Sequence, residues 1–387
     1  MSAWMRLILL LVLIVSGCPV GSDDDDATAA DDDDVADDDD SGDDDDSGDD
    51  DDTGDDDDST GIGDWQPLRD AIDASAIADV TVLIGTSAGT AFVHEKGASQ
   101  STTIYAIASA SKWLTSATAL ALVEDGVLAL DDTPQDHLSW WASDAGDPRS
   151  TITVEQLLSF TSGFDGAIDG VPCVEDGQST LDACAREIHD SLHTYAPGST
   201  FVYGPAHMQV VAAMASATTG ERWNRLFRQQ IANDLGMAAL AGFALPSLDN
   251  PRAAGGGTAS AEDYAAFLTA LSSGTLLSAA SLERMAADHT PDGVVLAEVP
   301  DAATDGRTWH YALGCWRECA GDTYTAACDD PGVLSSPGAF GFYPWWDQGR
   351  GFWGVVATQL VVAGGGAEVT VPLGQEWADL AAVALGR

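Results

Sequence analysis

Six Asp-Asp-Asp-Asp blocks stand between Asp23 and Asp58, and they decide which part of this chain can fold at all. From Gly21 to Gly63 the sequence is almost entirely Asp, Ser, Thr, Gly and Ala. Such a segment has too little apolar surface to offset the entropy of ordering it, and its like charges extend it. A disordered, solvated tether over 18–63 is therefore expected, and any core must come from 64–387. The blocks also dominate the charge. They hold 24 of the 63 acidic residues; without them and Arg6, 39 acidic residues face 14 basic ones, a net charge of −25 rather than −48. That remainder is acidic enough to disfavour nucleic acid and anionic lipid surfaces as ligands. A calcium loop needs spaced ligands and a glycine turn, so these unbroken runs are expected to gather cations only diffusely.

Ahead of the blocks, Arg6 precedes an apolar run from Leu7 to Val15 that meets Ser16-Gly17-Cys18. The run is too short to span a bilayer and has the layout of an export signal over residues 1–17. Ile14-Val15-Ser16-Gly17-Cys18 resembles the bacterial lipobox, which implies lipidation of Cys18 and a membrane-anchored protein of the cell envelope. Two or three acyl chains hold stably, each buried methylene contributing roughly 0.8 kcal/mol.

In the remaining chain, Trp65 to Ala78 carries apolar residues at helical spacing (Trp65, Leu68, Ile72, Ala76). Val80 to Ile84 and Thr90 to His94 follow as strands around a Gly/Ser turn. Ser109 to Asp125 predicts a long helix stopped by Gly126, and the chain to about Gly274 is mostly helical in pattern. Gly338 to Trp346 and Gly351 to Leu360 predict a second hairpin, and Trp377 to Leu385 a closing amphipathic helix. Strands at both ends with helices between predict an α+β fold: one antiparallel sheet formed from both chain ends, flanked by helices, with a mostly helical lobe inserted. In an exported protein the cysteines after Cys18 should pair. Cys173–Cys184 and Cys319–Cys328 close short loops and leave Cys315 as a buried free thiol; Cys315–Cys328 is the alternative.

Two serine motifs compete for the chemistry. Gly85-Thr86-Ser87-Ala88-Gly89 fits the G-x-S-x-G nucleophile elbow, but an elbow needs a helix directly after the serine, and Thr90 to His94 reads as a strand. A glycine-rich hairpin turn explains the same letters. Ser109-Ala110-Ser111-Lys112 is the stronger candidate, because S-x-x-K at a helix start puts the amine and the hydroxyl on one face. Backbone N–H groups at that helix end favour developing negative charge, and burial would encourage the lysine to lose its proton. Only two lysines occur in the chain, and the other, Lys96, has Val93 three residues before it.

From Ile107-Ala108-Ser109-Ala110-Ser111-Lys112 through Leu128-Ala129-Leu130-Asp131-Asp132, the chain resembles the serine β-lactamase-like superfamily: class C β-lactamases, D-alanyl-D-alanine carboxypeptidases and related esterases. Ile152-Thr153-Val154-Glu155-Gln156-Leu157-Leu158-Ser159-Phe160-Thr161-Ser162-Gly163-Phe164 is similar to that group's ITVRHLLSHTSGL signature. Pro197-Gly198-Ser199-Thr200-Phe201-Val202-Tyr203 is similar to its P-G-x-x-F-x-Y run, and Leu235-Gly236-Met237 to its L-G-M. The resemblance spans roughly Asp64 to Arg387. It implies an acyl-enzyme on Ser109, with Lys112 and Tyr203 sharing the base and acid roles and each lowering the other's pKa. It also implies an oxyanion hole from the backbone N–H groups of Ser109 and Ala339.

Two positions depart from the pattern. Pro205 stands where Y-x-N has its Asn. Ser336-Pro337-Gly338 is the best match to the third motif, K-T-G or H-x-G, and Ser336 lacks the charge to pair with a substrate carboxylate. Gly338 would allow close backbone approach to substrate; His207 reads first as a core or rim histidine and second as a donor beside the site. These departures favour an esterase-like serine hydrolase over an efficient β-lactamase, acting on a small-molecule or peptidoglycan-like ester or amide. A D-alanyl-D-alanine carboxypeptidase and a non-catalytic envelope-binding lipoprotein are the alternatives. His94, His137 and His310 form no triad or zinc pattern, so neither metal nor cofactor is expected.

Overall fold

The computed structural model describes residues 63–165, 171–191, 193–329, 332–363 and 365–387. The export signal, Cys18 and the tether as far as residue 62 lie outside the described residues. Gly61–Arg387 group as one compact unit.

A helix, α1 (Gln66–Ala74), precedes β1 (Val80–Thr86) and β2 (Gly89–Lys96). Within 80–85, β1 is buried on both sides, as a central strand of a covered sheet must be. The other strands of its sheet come from the far end of the chain: β4 (His310–Tyr311), β5 (Trp316–Glu318), β6 (Val333–Ser335), β7 (Tyr343–Asp347) and β8 (Phe352–Ala357). The seven strands run antiparallel in the order β2-β1-β8-β7-β6-β5-β4, with Val82 opposite Val356 at the seam between the two chain ends. Between β2 and β4 lies the inserted lobe, with α2 (Ser111–Glu124), α3 (Leu181–Ser191), a short strand β3 (Thr200–Val202) and α4 (Ala206–Thr219). After it come α5 (Ala261–Ser272), packed on β1 and β8, and at the end α6 (Ala367–Ala384), packed on α1, β7 and β8. This is the mixed, antiparallel architecture expected from the sequence.

The G-x-S-x-G letters form the turn of the β1–β2 hairpin. Ser87 and Ala88 are exposed there, and the strand resumes at Gly89. Gly85 is glycine because Trp353 lies across it: a Cβ would come 2.2 Å from that indole, whose Nε1 donates to the Thr86 carbonyl at 2.9 Å. Packing demands the motif's first glycine, and no helix follows the serine.

Every residue of α2 from Ser111 to Leu122 is buried, so it is a core helix rather than a surface one. The edge of Trp113 meets Phe267 of α5 at 5.9 Å, which ties this helix to the sheet. A reciprocal cap fixes where α5 starts: Asp263 N–H donates to Ser260 Oγ (3.1 Å) and Ser260 N–H to Asp263 Oδ2 (2.8 Å). Disulfides join Cys173 to Cys184 and Cys319 to Cys328, and Cys315 is a buried free thiol, pushed up in pKa by that burial.

Three boundaries differ most from expectation, beside smaller shifts such as β8 ending at Ala357 rather than Leu360. α1 stops at Ala74, four residues early, and the second lysine accounts for its end: Lys96 Nζ donates to the carbonyls of Ile72, Asp73 and Ser75. β7 begins only at Tyr343, because Gly341 N–H bonds the Gly338 carbonyl (2.8 Å) and turns the preceding residues into a tight loop. α6 starts ten residues sooner than its amphipathic pattern, running through Pro372 and Gly374. A Cβ at Gly374 would lie 2.6 Å from the Tyr343 ring, so tertiary packing overrides helix propensity there.

Candidate active site

Ser109 lies in a single 3-10 turn, Ala108–Ala110, directly ahead of α2, and it is partly exposed. Ala108 enters that turn at φ +45°, a left-handed conformation costing a residue with a Cβ on the order of 1 to 2 kcal/mol. Bonds from distant elements hold the strained turn. Tyr264 of α5 donates its hydroxyl to the Ala110 carbonyl at 2.8 Å, and Ser336 donates its own to the Ser109 carbonyl at 2.9 Å.

One turn on, Lys112 Nζ lies 3.0 Å from Ser109 Oγ and 2.8 Å from the Ala254 carbonyl. The side chain is 4 % exposed. Burial, and after it the positive charge of Arg252, pull its pKa down to about 7. Arg252 is in turn bonded to Glu175 at 2.7 Å. Tyr203 follows β3, 5 % exposed, with its ring centroid 4.5 Å from Lys112 Nζ and the Ser109 side chain close enough to act on its pKa. Burial drives this phenol up, only partly opposed by the Ser109 side chain. The mutual lowering expected of the two groups therefore does not hold for the phenol: a nearly dry aromatic setting favours its neutral form, so Tyr203 keeps its proton.

The I-T-V signature turns out to be scaffolding. Phe160 adopts φ +60° and stacks on His207 (4.9 Å) and Tyr311 (5.0 Å), with its edge to Tyr203 (5.5 Å). Trp316 stacks on the other side of Tyr203 at 5.3 Å. Together they set the phenol's angle towards Ser109.

Four residues expected to touch substrate are placed as follows. Pro205 is the residue before α4, partly buried, and presents a ring where an amide would stand. Ser336 is buried, with its hydroxyl engaged by the Ser109 carbonyl. Gly338 makes its close approach to Ile107 and not to an open cleft: a Cβ would lie 2.2 Å from that carbonyl oxygen. His207 is the core histidine of the first reading and not a donor beside the site. It is fully buried, with Nε2 2.9 Å from the Val202 carbonyl and Nδ1 2.8 Å from Ser162 Oγ. A carbonyl only accepts, so Nε2 carries the proton and Nδ1 accepts from Ser162. Burial pushes this imidazole down to about 3, and it is a neutral brace behind Tyr203. Ala339 lies exposed in the turn after β6, its carbonyl taken by Gly366 N–H at 2.7 Å.

Sequence reasoning missed the Ala254 carbonyl and Arg252. Their signal was the run Gly255-Gly256-Gly257, which marks close approach: a Cβ at Gly257 would lie 2.7 Å from Ser111 Oγ, and one at Gly256 2.2 Å from the Leu245 carbonyl oxygen.

Comparisons with known proteins give the family and the fold. The Beta-lactamase family model matches residues 73–371. Protein flp of Staphylococcus aureus (strain N315) is 29 % identical over 134 residues, 34 % of this chain and 27 % of that protein. The chain thus spans about a quarter of the length of the curated relatives it matches. Among solved structures, a protein of Bacteroides dorei DSM 17855, provisionally described as a beta-lactamase, superposes with a TM-score of 0.68 at 26 % identity, covering 82 % of this chain and 100 % of its own. The hydrolase EstCE1, described as having promiscuous acyltransferase activity, shares the fold at TM-score 0.65 and 20 % identity, over 82 % of this chain and 97 % of its own.

Proposed function

The chain belongs to the Beta-lactamase family, and we propose that it is an exported serine hydrolase opening ester or amide substrates through an acyl-enzyme on Ser109. One observation carries the reading: a buried amine lies 3.0 Å from a partly exposed serine hydroxyl, where burial pulls its pKa down to about 7. Neutral Lys112 takes the Ser109 proton as Oγ attacks the substrate carbonyl carbon. The N–H groups of Ser109 and Ala339 hold the resulting oxyanion. The Lys112 ammonium then returns its proton by way of the Tyr203 hydroxyl to the leaving alcohol or amine, as the carbon–heteroatom bond breaks. A water molecule enters by the reverse relay, cleaves the acyl-enzyme and releases the acid. Tyr203 suits the relay because it stays protonated, interacts with the Ser109 side chain and has its ring 4.5 Å from Lys112 Nζ.

Ser336 and Pro205 favour ester substrates within this class. Neither can supply the cation or the amide that would grip a peptide carboxylate and carbonyl. A fluorophosphonate probe followed by peptide mapping tests the assignment. The label is expected on the peptide carrying Ser109. A label on Ser87 would restore the elbow reading, and no label at all would leave a non-catalytic binding lipoprotein.

The proposed cell-envelope location depends on Cys18. Cys18→Ala is expected to shift the protein from the membrane fraction to the soluble one, and to remove incorporation of labelled palmitate. A variant that still pellets with membranes and takes up palmitate would refute the anchor.

A further inference from the structure

Resting on the hydrolase reading, we propose that Val361 and Val362, with Leu360, Phe340 and Ala339, form an apolar lip beside Ser109 that selects uncharged esters carrying an aliphatic or aromatic group. Val361 is 54 % exposed and Val362 47 %, the one adjacent pair among the large apolar residues that stand exposed in the described structure. Ala363 beside them is also exposed. An exposed apolar pair is unremarkable on most surfaces; its position gives this one meaning.

The loop that carries the valines is fastened to the turn that would present the oxyanion donor. Leu360 N–H donates to the Phe340 carbonyl at 2.8 Å, and Gly366 N–H to the Ala339 carbonyl at 2.7 Å. The two segments are in close contact between these bonds: a Cβ at Gly366 would lie 2.5 Å from Gly341 N, and one at Gly341 3.4 Å from Leu360 Cδ1. That turn is in turn seated on the nucleophile, through Ser336 on the Ser109 carbonyl and Gly338 against the Ile107 carbonyl. A substrate whose carbonyl oxygen sits at Ala339 N–H lies against the turn to which the valine loop is fastened at both ends, and the proposed lip takes one of its substituents on the valines.

Charge narrows the substrate further. Ser336 brings no cation, the nearby Arg252 already bonds Glu175, and the chain without its Asp blocks and Arg6 carries a net charge of −25. A carboxylate on the substrate would meet repulsion, whereas an alkyl or aryl group laid on the lip leaves water. Each methylene so covered raises kcat/KM about two- to four-fold.

The experiment compares kcat/KM across p-nitrophenyl acetate, butyrate and hexanoate, and across ethyl, butyl and hexyl acetates. The four added methylenes are expected to raise the parent's kcat/KM about 16- to 250-fold from shortest to longest in one series. The gain should collapse in Val361→Ser/Val362→Ser and persist in Val93→Ser, a control on the exposed face of β2. Melting temperatures of both variants confirm the fold. A flat profile in the parent, or a gain that survives the double substitution, overturns the lip while ester turnover itself upholds the hydrolase. Loss of binding to phosphatidylcholine vesicles with an unchanged profile also overturns it, by making the pair a membrane contact. No turnover of any ester and no probe labelling removes the hydrolase reading and the lip with it.

Discussion

Ser109→Ala is expected to lower kcat/KM for p-nitrophenyl acetate by at least about 10³-fold and to abolish fluorophosphonate capture, while Ser87→Ala leaves both unchanged. The contrast comes from surroundings, since both serines are reachable by solvent. Ser87 is at the tip of a hairpin, followed by a strand, with no base and no helix end beside it. Ser109 has an amine at 3.0 Å, a phenol close to its side chain, and the start of α2 beneath it. Removing Oγ takes away the nucleophile but little of the scaffold. Lys112 keeps the Ala254 carbonyl, and the Ser109 backbone keeps Ser336. The variant should therefore fold with a near-parental circular dichroism spectrum and melting temperature. Full ester turnover by a folded Ser109→Ala protein would end the acyl-enzyme mechanism.

The fold was legible where local pattern and tertiary demand agree. β1 and β8 are long, β-branched and bounded by turn residues, so the sheet built from both chain ends could be read before any coordinates. The strands β4, β5 and β6 run only two or three residues each. Segments that short have no period to detect, and they form because the sheet edge offers partners. The start of α6 was hidden by Val369, Thr370, Val371, Pro372 and Gly374, whose propensities oppose a helix that Tyr343 nonetheless packs against.

The candidate site divides in the same way. Ser109 and Lys112 were legible because their spacing is a property of one helix turn, and the structure puts Nζ within hydrogen-bond reach of Oγ. Tyr203 was legible only through resemblance; nothing in its own neighbourhood of sequence says that it faces a serine 94 positions earlier. The direction of its pKa was misread because pair coupling was weighed without burial, and the wall of Phe160, Tyr311 and Trp316 makes burial the larger effect. Ala254 and Arg252 act on Lys112 across more than a hundred residues of chain, through one carbonyl and one charge, and neither leaves a local pattern.

Lys112→Met is expected to reduce kcat/KM by about 10² to 10⁴-fold while making the folded chain more resistant to unfolding below pH 10. In the parent only the neutral amine can take the Ser109 proton, so kcat/KM should climb with pH through a midpoint near 7. Tyr203 holds its proton through this range, so it imposes no falling limb. The same amine sets a stability slope. It loses its proton near 7 in the folded chain and near 10.5 when exposed, so between those values the unfolded chain binds more protons. Acidification from pH 10 to pH 7 therefore favours unfolding, and the parent's stability should rise from pH 7 towards 10.5. The gap corresponds to a burial penalty on the order of 4 kcal/mol at neutral pH, which an apolar side chain of similar length removes, less what is lost by leaving the Ala254 carbonyl unpaired. Urea titrations of both proteins at pH 7 and pH 9.5 measure the slope directly. A parent whose stability falls over this interval, or whose activity midpoint lies near 10, would mean that Lys112 is an ordinary ammonium, and an ammonium cannot accept the serine's proton.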